Sequence, residues 1–518
     1  MRLLALLHFT GHDLEAMSIL TPGNTCWRLE HAARVAFLVD NEAYFNALAE
    51  ILPKAQRSIY LLGWSFDPRT RLKPDGFDGP DDPDEIGRIL VELSRRRPEL
   101  DIRLLIWKSA LPISASQNFF PHRGRRWFRN TTVQLRLDES VPLGACHHQK
   151  VLIVDDAVAI CGGGDIAVDR WDTAAHLDDD ERRIMPDQDY HPPRHEVMMM
   201  VDGAAAAALG DLFRIRWRRS ADEVVPKAIP VTSDPWPMRV PAHLNNVQVG
   251  IARTEPAWKR DKMVEEIRRL TLMSIFEAKN LIYIENQYFT SPIYTEALAT
   301  RLGEADGPEV VLVSTGYSPS WFDQLTMDRA RNNMLARLQA ADVFGRLHTY
   351  WPVTRGGQEV IVHSKVTIID DRFARVGSAN LNNRSGGFDT ECELAVEAKS
   401  PEDRMAISAL RDRLMGHFIG CTGDAVGKAR EEHGSLGGAI DALDFDHRLR
   451  RLGPRKMSAP GEMIAAFHIG DPADVADSWR VFRRRERLYA ASRRLTEALA
   501  IGRQRALQAS SKSITSGK

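Results

Sequence analysis

Short apolar runs alternate along the chain with longer segments in which apolar residues recur at the spacing of a helix face. In the first part this pattern predicts strands at 35–39, 58–64, 102–107, 133–137, 150–154 and 158–161, and helices at 41–55, 81–97 and 204–218. After a Pro-rich segment it restarts, with strands at 247–251, 281–285, 310–314, 347–350 and 391–396, and helices at 261–278 and 401–418. Alternating strands and helices predict an α/β fold with helices packed on a sheet.

The pattern His-x-Lys-x-x-x-x-Asp is present twice, and its fixed positions are His148, Lys150 and Asp155 in the first copy and His363, Lys365 and Asp370 in the second. In both copies a glycine follows seven residues after the aspartate. Side chains alternate along a strand, so each histidine shares a face with its lysine. An imidazole can attack phosphorus or carry a proton, and an ammonium group can hold an anionic oxygen. One copy would be compatible with a structural histidine and a solvated lysine, whereas two matched copies indicate a phosphodiester site.

A duplicated motif inside a duplicated strand–helix pattern predicts an internal repeat. We expect two similar α/β halves related by pseudo-twofold symmetry, with the motifs meeting at their interface. The predicted division is an N-terminal lead-in at 1–34, a first half at 35–224, a linker at 225–241, a second half at 242–420 and a basic, helical C-terminal extension at 421–518.

The two motifs resemble the signature of the phospholipase D superfamily, whose members carry two copies or dimerise to obtain them. The runs 282–289, with Glu285-Asn286-Gln287, and 377–385 are similar to its phospholipid-cleaving branch, and 162–173 resembles the two-motif phospholipases. The resemblance covers most of residues 35–420. It implies two α/β/α sandwich halves, a covalent phosphohistidine intermediate and no cofactor. It also implies that His148 attacks phosphorus and that His363 acts as acid and then base.

Several further residues are expected to support this chemistry. Ser378 and Asn380 alternate onto one face, where a hydroxyl and an amide can bind phosphate oxygens beside Lys150 and Lys365. The first half has Gly163 and Asp165 at the corresponding positions. A carboxylate beside a bound phosphate is unfavourable, so we expect Asp165 to orient other groups rather than to bind phosphate.

Each histidine needs an acceptor for its second nitrogen. The family resemblance places Glu391 in such a role in the second half, and Glu196 is the matching residue of the first; surface salt bridges are the alternative for both. Asp155 and Asp370 lie at the far ends of the motif strands and are expected to hold backbone. Since two adjacent imidazoles resist a double charge, one histidine is expected to be neutral and the other protonated at rest.

Composition limits which compartments and partners are expected for the protein. The formal net charge is −1, which gives no sign of a nucleic-acid partner. The five cysteines form no close-spaced pair, which favours a reducing compartment. The apolar core of 1–7 is too short for a signal peptide. We expect a cytoplasmic monomer, peripherally associated with membranes, that takes phospholipid and uses water or a small alcohol as acceptor.

Three alternatives remain open from sequence. A cardiolipin synthase-like phosphatidyltransferase uses the same residues, a nuclease of the superfamily would need a basic groove, and a non-catalytic lipid-binding relative would not need both His–Lys pairs intact. The segment from His191 to His195 lacks a cysteine or carboxylate set with metal spacing, so no metal site is predicted. Arginine clusters at 448–451, 483–487 and 493–494 suit either an anionic membrane surface or a solvated helix face.

Overall fold

The computed structural model describes residues 18–74, 84–109, 121–231 and 233–455, together with 467–468, 470–477, 480, 484–490 and 492–493. The predicted arginine positions 483 and 494 lie outside these residues.

The strands are β1 (Arg28–Val39), β2 (Ser58–Gly63), β3 (Asp101–Trp107), β4 (Gln134–Asp138), β5 (Val151–Val154), β6 (Val158–Gly162), β7 (Arg194–His195), β8 (Val197–Asp202), β9 (Leu244–Glu255), β10 (Val264–Glu265), β11 (Leu281–Asn286), β12 (Glu309–Val313), β13 (Leu347–Pro352), β14 (Ile361–Val362), β15 (Lys365–Ile369), β16 (Phe373–Gly377), β17 (Glu391–Glu397) and β18 (Leu449–Arg451).

The α-helices are α1 (Asp40–Ile51), α2 (Ile86–Arg96), α3 (Pro121–Trp127), α4 (Gly203–Ala221), α5 (Glu266–Glu277), α6 (Pro292–Leu302), α7 (Trp321–Asp323), α8 (Arg329–Ala341), α9 (Asn383–Gly387), α10 (Pro401–Ile419), α11 (Gly423–His433) and α12 (Leu436–Leu443). The structure also has 3₁₀ turns at Leu52–Lys54 and Glu181–Arg183 and a π-helical turn at Gln324–Asp328.

One large sheet runs through the molecule, and its strand order shows the internal repeat. From one edge the order is β18-β13-β12-β11-β15-β16-β17-β9-β1-β8-β6-β5-β2-β3-β4, with β10 paired to β9. From the centre outward, β1-β8-β6-β5-β2-β3-β4 in one direction matches β9-β17-β16-β15-β11-β12-β13 in the other. We call the strands β1 to β8 the first half and β9 to β17 the second half. This arrangement confirms two similar α/β halves related by pseudo-twofold symmetry.

The halves join through β1 and β9, which pair antiparallel from Arg28 with Ile251 to Val35 with Leu244. β1 therefore begins at Arg28 rather than at the predicted residue 35. Its first residues are more polar and only partly buried, so they lack the apolar run that marked the rest of the strand. Part of the predicted N-terminal lead-in thus belongs to the centre of the sheet.

Helices cover both faces of the sheet, which confirms the α/β/α arrangement. On one face α4 and α10 pack on a core that is continuous across the two halves and includes Phe213 and Phe418. On the other face each half has its own core, formed by α1 and α2 in the first half and by α5, α6 and α8 in the second. The motif strands β5 and β15 are buried throughout, as their continuous apolar sequences require.

The helix α10, which carries His417, has clear start and stop signals in its sequence. Ser400 and Asp403 form a capping box at its start, and Gly420 ends it with a φ of 77°. Beyond it, α11 and α12 lead to β18, which pairs with β13 at the edge of the second half. The predicted domain boundaries stay a prediction. Among the described residues, every helix is too short or too polar to cross a bilayer.

Candidate active site

The two motif histidines are brought together because the segment before each motif strand pairs with the opposite half. In one crossing, the His148 amide donates to the Thr390 carbonyl oxygen at 3.0 Å. In the other, β14 pairs parallel with β7, and the His363 amide donates to the His195 carbonyl oxygen at 2.9 Å. The backbone itself therefore holds each histidine against the residue that precedes a glutamate of the other half.

Each glutamate bonds the histidine of the opposite half. His148 Nδ1 lies 2.9 Å from Glu391 Oε2, and His363 Nδ1 lies 2.6 Å from Glu196 Oε2. Both carboxylates are fully buried, so the alternative of surface salt bridges is wrong. With Nδ1 engaged, the other ring nitrogen, Nε2, is the one left for a substrate. The crossing between halves could not be read from the sequence.

The two glutamates have different support. Glu391 accepts hydrogen bonds from the Ser378 hydroxyl at 2.5 Å and the Ser385 hydroxyl at 2.6 Å. Glu196 accepts one from its neighbour, the Val197 amide, at 3.1 Å. A β-carbon at Gly163 would lie 2.6 Å from Glu196 Oε1, so a serine in place of this glycine would collide with the carboxylate. This explains why the first half has glycine where the second has Ser378.

The motif lysines are buried and point to the same region as the histidines. Lys150 Nζ donates to the His148 carbonyl oxygen at 3.1 Å and lies 3.4 Å from Asp165 Oδ2. Lys365 Nζ donates to the His363 carbonyl oxygen and lies 3.4 Å from Gln287 Oε1. A carboxylate thus faces the first lysine, and a neutral amide faces the second.

Asp165 orients its surroundings, in keeping with the interpretation of the sequence. Its Oδ1 accepts from the amides of Trp64 at 2.9 Å and Ser65 at 3.0 Å, while Oδ2 faces Lys150. The carboxylate is therefore saturated by donors of the protein. It fixes the end of β2 beside the motif lysine.

The motif aspartates lie at the opposite ends of their strands and do not join the histidines. Asp155 accepts from the amides of residues 56, 57 and 58 at 2.6 to 2.8 Å. Asp370 accepts from those of residues 279, 280 and 281 at 2.7 to 3.1 Å. Both have positive φ angles, of 57° and 51°. Both aspartates therefore hold the backbone at the start of the neighbouring strand, although they belong to the same signature as the catalytic histidines and lysines.

Ser378 and Asn380 differ from the expected pair of phosphate donors. The Ser378 hydroxyl is committed to Glu391, so it supports the carboxylate rather than facing a ligand. Asn380 is buried, its backbone N–H donates to Ser385 Oγ at 3.0 Å, and its side-chain Oδ1 has no hydrogen-bond partner among the described residues. Asn380 is thus the member of the pair whose side chain still has bonding capacity.

Burial and the positive charges of Lys150 and Lys365 hold the pKa of His148 well below its usual range. Burial, together with Lys365 and Arg194, does the same to the pKa of His363. Burial also raises the pKa of Glu391 to about 8 and the pKa of Glu196 to about 7. Each histidine therefore titrates together with its glutamate as a coupled pair rather than as an independent imidazole.

Three residues of the site were given no individual role from sequence. Ser385, Gln287 and the buried Arg194 act on Glu391, Lys365 and His363 respectively. Ser385 and Gln287 stand inside the two runs that resemble the phospholipid-cleaving branch, which was the available signal. No sequence signal pointed to Arg194, because the residues that it contacts are distant from it in the chain.

Comparison with known proteins agrees with this geometry. The family model described as "Phospholipase D" matches residues 51–295, and the model described as "Cardiolipin synthase, PLD-like domain" matches residues 272–414. The chain belongs to the phospholipase D superfamily.

Curated relatives are similar at low identity. Phospholipase D A of Dictyostelium discoideum is 24% identical over 422 residues, which cover 70% of this chain and 32% of that protein. Phospholipase D2 of Bos taurus is 24% identical over 466 residues, which cover 70% of this chain and 49% of that protein. The chain therefore spans between about a third and half of the length of these relatives.

A solved structure shows the same fold. The crystal structure of phosphatidylserine synthase from Haemophilus influenzae Rd KW20 superimposes with a TM-score of 0.53 and 13% identity, covering 80% of this chain and 97% of that one.

Proposed function

We propose that this protein is a phospholipase D-type phosphodiesterase that transfers the phosphatidyl group of a glycerophospholipid to water or a small alcohol. The observation that carries the proposal is the crossed arrangement, in which each motif histidine bonds a buried glutamate of the opposite half. A structural histidine has no need of a matched lysine, carboxylate and symmetry partner. Curated relatives that bear the name phospholipase D add support.

The His–Glu pairs supply both forms of imidazole that the reaction needs. A pair that holds its extra proton presents Nε2–H, whichever of the two residues formally carries the charge. A pair without it keeps Nδ1–H on the carboxylate and presents a lone pair at Nε2. The pKa values of Glu391, about 8, and Glu196, about 7, lie close together, so proton occupancy alone does not assign the roles. The resemblance to family members favours His148 as nucleophile.

In the first step, His148 Nε2 attacks phosphorus and forms an N–P bond. The P–O bond to the head group breaks, and its oxygen takes the Nε2 proton of His363. In the second step, water or an alcohol gives its proton to His363 Nε2 as its oxygen bonds phosphorus. The N–P bond then breaks and frees His148.

The ammonium groups of Lys150 and Lys365, with the amide of Asn380, stabilise charge on the phosphoryl oxygens. Burial and Lys150 lower the pKa of Lys365 to about 7, with burial the larger cause. An anionic phosphodiester raises this pKa again, because opposite charge favours the ammonium form. Substrate binding and lysine protonation are therefore coupled, and no step in this scheme uses a metal ion.

Because the proposed substrate lies in a lipid surface, we propose that the protein associates peripherally with a membrane. We further propose that it is a cytoplasmic monomer, in which one chain holds the complete site. Exposed arginines such as Arg450 and Arg451 on β18 favour contact with an anionic surface.

The direct test is a lipid panel. Vesicles of phosphatidylcholine, phosphatidylethanolamine, phosphatidylserine or phosphatidylglycerol are incubated with the protein, with and without ethanol. We expect free head group with phosphatidic acid, and phosphatidylethanol when ethanol is added. A double variant His148→Ala/His363→Ala is the control. Absence of head-group release from every lipid, or plasmid cleavage instead, would contradict the proposal.

A second candidate is a cardiolipin synthase-like phosphatidyltransferase, favoured by the description of the family model that matches the second half. It uses the same residues with another lipid as acceptor. The phosphatidylglycerol arm of the panel separates the two, because transfer between two lipids gives cardiolipin and glycerol without phosphatidic acid.

A further inference from the structure

A second cluster of buried titratable side chains lies behind the active site. Asp40, His176, His195 and His417 place one potential ligand atom each within 4.8 Å of one another. Asp40 begins α1, His176 follows β6, His195 is in β7, and His417 is on α10. Loop, strand and two helices therefore converge from both halves of the molecule.

The separations within the cluster are those of atoms that could share one ion. His176 Nε2 lies 2.8 Å from His417 Nε2, and His417 Nε2 lies 3.5 Å from Asp40 Oδ2. His195 Nδ1 lies 2.9 Å from Asp40 Oδ1. Ligand bonds of about 2.0 to 2.1 Å in a tetrahedral zinc site put ligand atoms roughly 3.3 Å apart. These three separations are close to that value, while wider pairs, which lie up to 4.8 Å apart, must close around the ion.

The outer nitrogens of two histidines are already held in the way that metal-binding histidines require. His176 Nδ1 bonds Asp172 Oδ2 at 2.8 Å, which leaves Nε2 facing the cluster. His195 Nε2 bonds Glu285 Oε2 at 3.0 Å, which leaves Nδ1 facing the cluster. A carboxylate on the far nitrogen fixes ring orientation and raises the basicity of a ligand.

One carboxylate oxygen at the centre of the cluster lacks a hydrogen-bond partner among the described residues. Asp40 is 1% exposed, and its Oδ2 has no hydrogen-bond partner among the described residues. A buried carboxylate oxygen without a donor is costly. The carboxylates of Asp172 and Glu285 add two more negative groups nearby, and Arg183 Nη1 lies 3.8 Å from Asp172. A divalent cation between Asp40 and the three histidines would balance much of this charge.

We propose that Asp40, His176, His195 and His417 form a structural zinc site that ties the first half to α10. Three imidazoles and one carboxylate suit Zn²⁺ among divalent ions, and four protein ligands leave no open position for catalysis. On binding, His195 Nδ1 gives up the proton that it shares with Asp40, and this proton passes to solvent. The proton in the hydrogen bond between His176 Nε2 and His417 Nε2 must also leave that contact, which His417 achieves by taking its Nδ1–H tautomer. The sequence predicted no metal here because the ligands are far apart in the chain.

The site would act on the catalytic centre through position alone. His195 precedes Glu196 directly, and its carbonyl oxygen receives the His363 amide. A fixed His195 therefore fixes the backbone on which the His363–Glu196 pair is built. Turnover itself needs no metal, so this inference does not rest on the proposed lipid activity.

The first experiment measures metal directly in the 518-residue chain, purified without a polyhistidine tag. After dialysis against 1,10-phenanthroline, the protein is titrated with Zn²⁺ or Co²⁺, and bound metal is measured by mass spectrometry of the elements. We expect one ion per chain, the intense visible bands of four-coordinate Co²⁺, and a rise in the thermal denaturation midpoint of at least about 5 °C with Zn²⁺.

Variants locate the site. His417→Ala and His176→Ala are expected to lose the bound ion, while His433→Ala, an exposed histidine on the adjacent α11, retains it. If the ligand variants fail to fold, the wild-type titration still decides. Wild-type protein that binds no Zn²⁺ or Co²⁺ and melts at the same temperature with and without them overturns the proposal. So does a Co²⁺ spectrum that is unchanged in folded His417→Ala and His176→Ala.

Discussion

The two halves present the same His–Lys pair, but they support it with different chemistry. Glu391, which bonds His148, accepts hydrogen bonds from the hydroxyl groups of Ser378 and Ser385. The glutamate that serves His363 fills space that Gly163 leaves empty, and its hydrogen bond comes from backbone. The two copies of the motif therefore lie in two different hydrogen-bonding environments. The difference shows how symmetric residues can be tuned to take the separate parts of nucleophile and acid.

The largest effect is expected from loss of either histidine. His148→Ala removes the proposed nucleophile and His363→Ala the proposed acid, so each should lower kcat by about a thousandfold or more. The double variant should lose little beyond the worse single variant, because both act in one relay. The measurement is head-group release under saturating lipid, and near-normal activity in either single variant would show that the halves do not share a site.

The next effect concerns the crossed glutamates. Glu391→Gln and Glu196→Gln keep the shape of the side chain but lose its charge, so each should lower kcat by roughly 100-fold. Binding of substrate should change less, since neither carboxylate faces the ligand. Kinetic assays at several lipid concentrations separate kcat from KM. An intact kcat in both variants would refute the orienting role.

Gly163→Ala tests why the halves differ. The new β-carbon would lie 2.6 Å from Glu196 Oε1 and should push this carboxylate off His363, with a loss in kcat of about tenfold or more. Ser378→Ala is the matched change in the second half. It removes one of two hydroxyl donors and should cost only a fewfold in kcat. A larger loss for Ser378→Ala than for Gly163→Ala would reverse the proposed origin of the asymmetry.

The smallest effect is on stability, and it follows from the pKa of Glu391, which burial raises to about 8. In the unfolded chain Glu391 is already ionised at this pH, and the last titratable proton of the pair leaves His148 near pH 6.5. Between pH 6.5 and about 8 the folded pair thus holds one more proton than the unfolded pair. Stability from this pair is present below pH 6.5 and is lost as pH rises through 8.

Urea denaturation at pH 6 and pH 8.5 measures the stability that the His148–Glu391 pair loses as the pH rises. Glu391→Gln should show a smaller decrease in midpoint over this interval than the wild-type protein. The control is Glu432→Gln, an exposed glutamate on α11, which should behave as the wild type. An equal decrease in Glu391→Gln and wild type would show that this pair does not hold the extra proton.

The sequence predicted the α/β class, the repeat and both His–Lys pairs, because these depend on local periodicity and on a motif that is read within one strand. It also predicted that Asp165 and the motif aspartates hold structure. What it could not show depends on the meeting of distant segments. The exchange of Glu196 and Glu391 between halves arises from backbone pairing of β7 with β14 and of His147 with Thr390.

The same reason explains two other differences. Ser378 was expected to face phosphate, but its hydroxyl turns to a glutamate that the opposite motif uses. The cluster around Asp40 joins residues from four separate segments, so no spacing in the chain revealed it.

The most direct test of the paired site is to trap its covalent intermediate. His363→Asn protein is mixed with phospholipid labelled in its phosphatidyl group, the reaction is quenched in alkali, and the modified peptide is mapped. Since His363 is the acid of the first step as well as the base of the second, the labelled phospholipid carries a p-nitrophenol head group, which leaves without a proton. Hydrolysis then lacks its base, and the adduct should accumulate on His148. Label on His148 is the predicted result. Label on another residue, with His148 unmodified, would contradict the account.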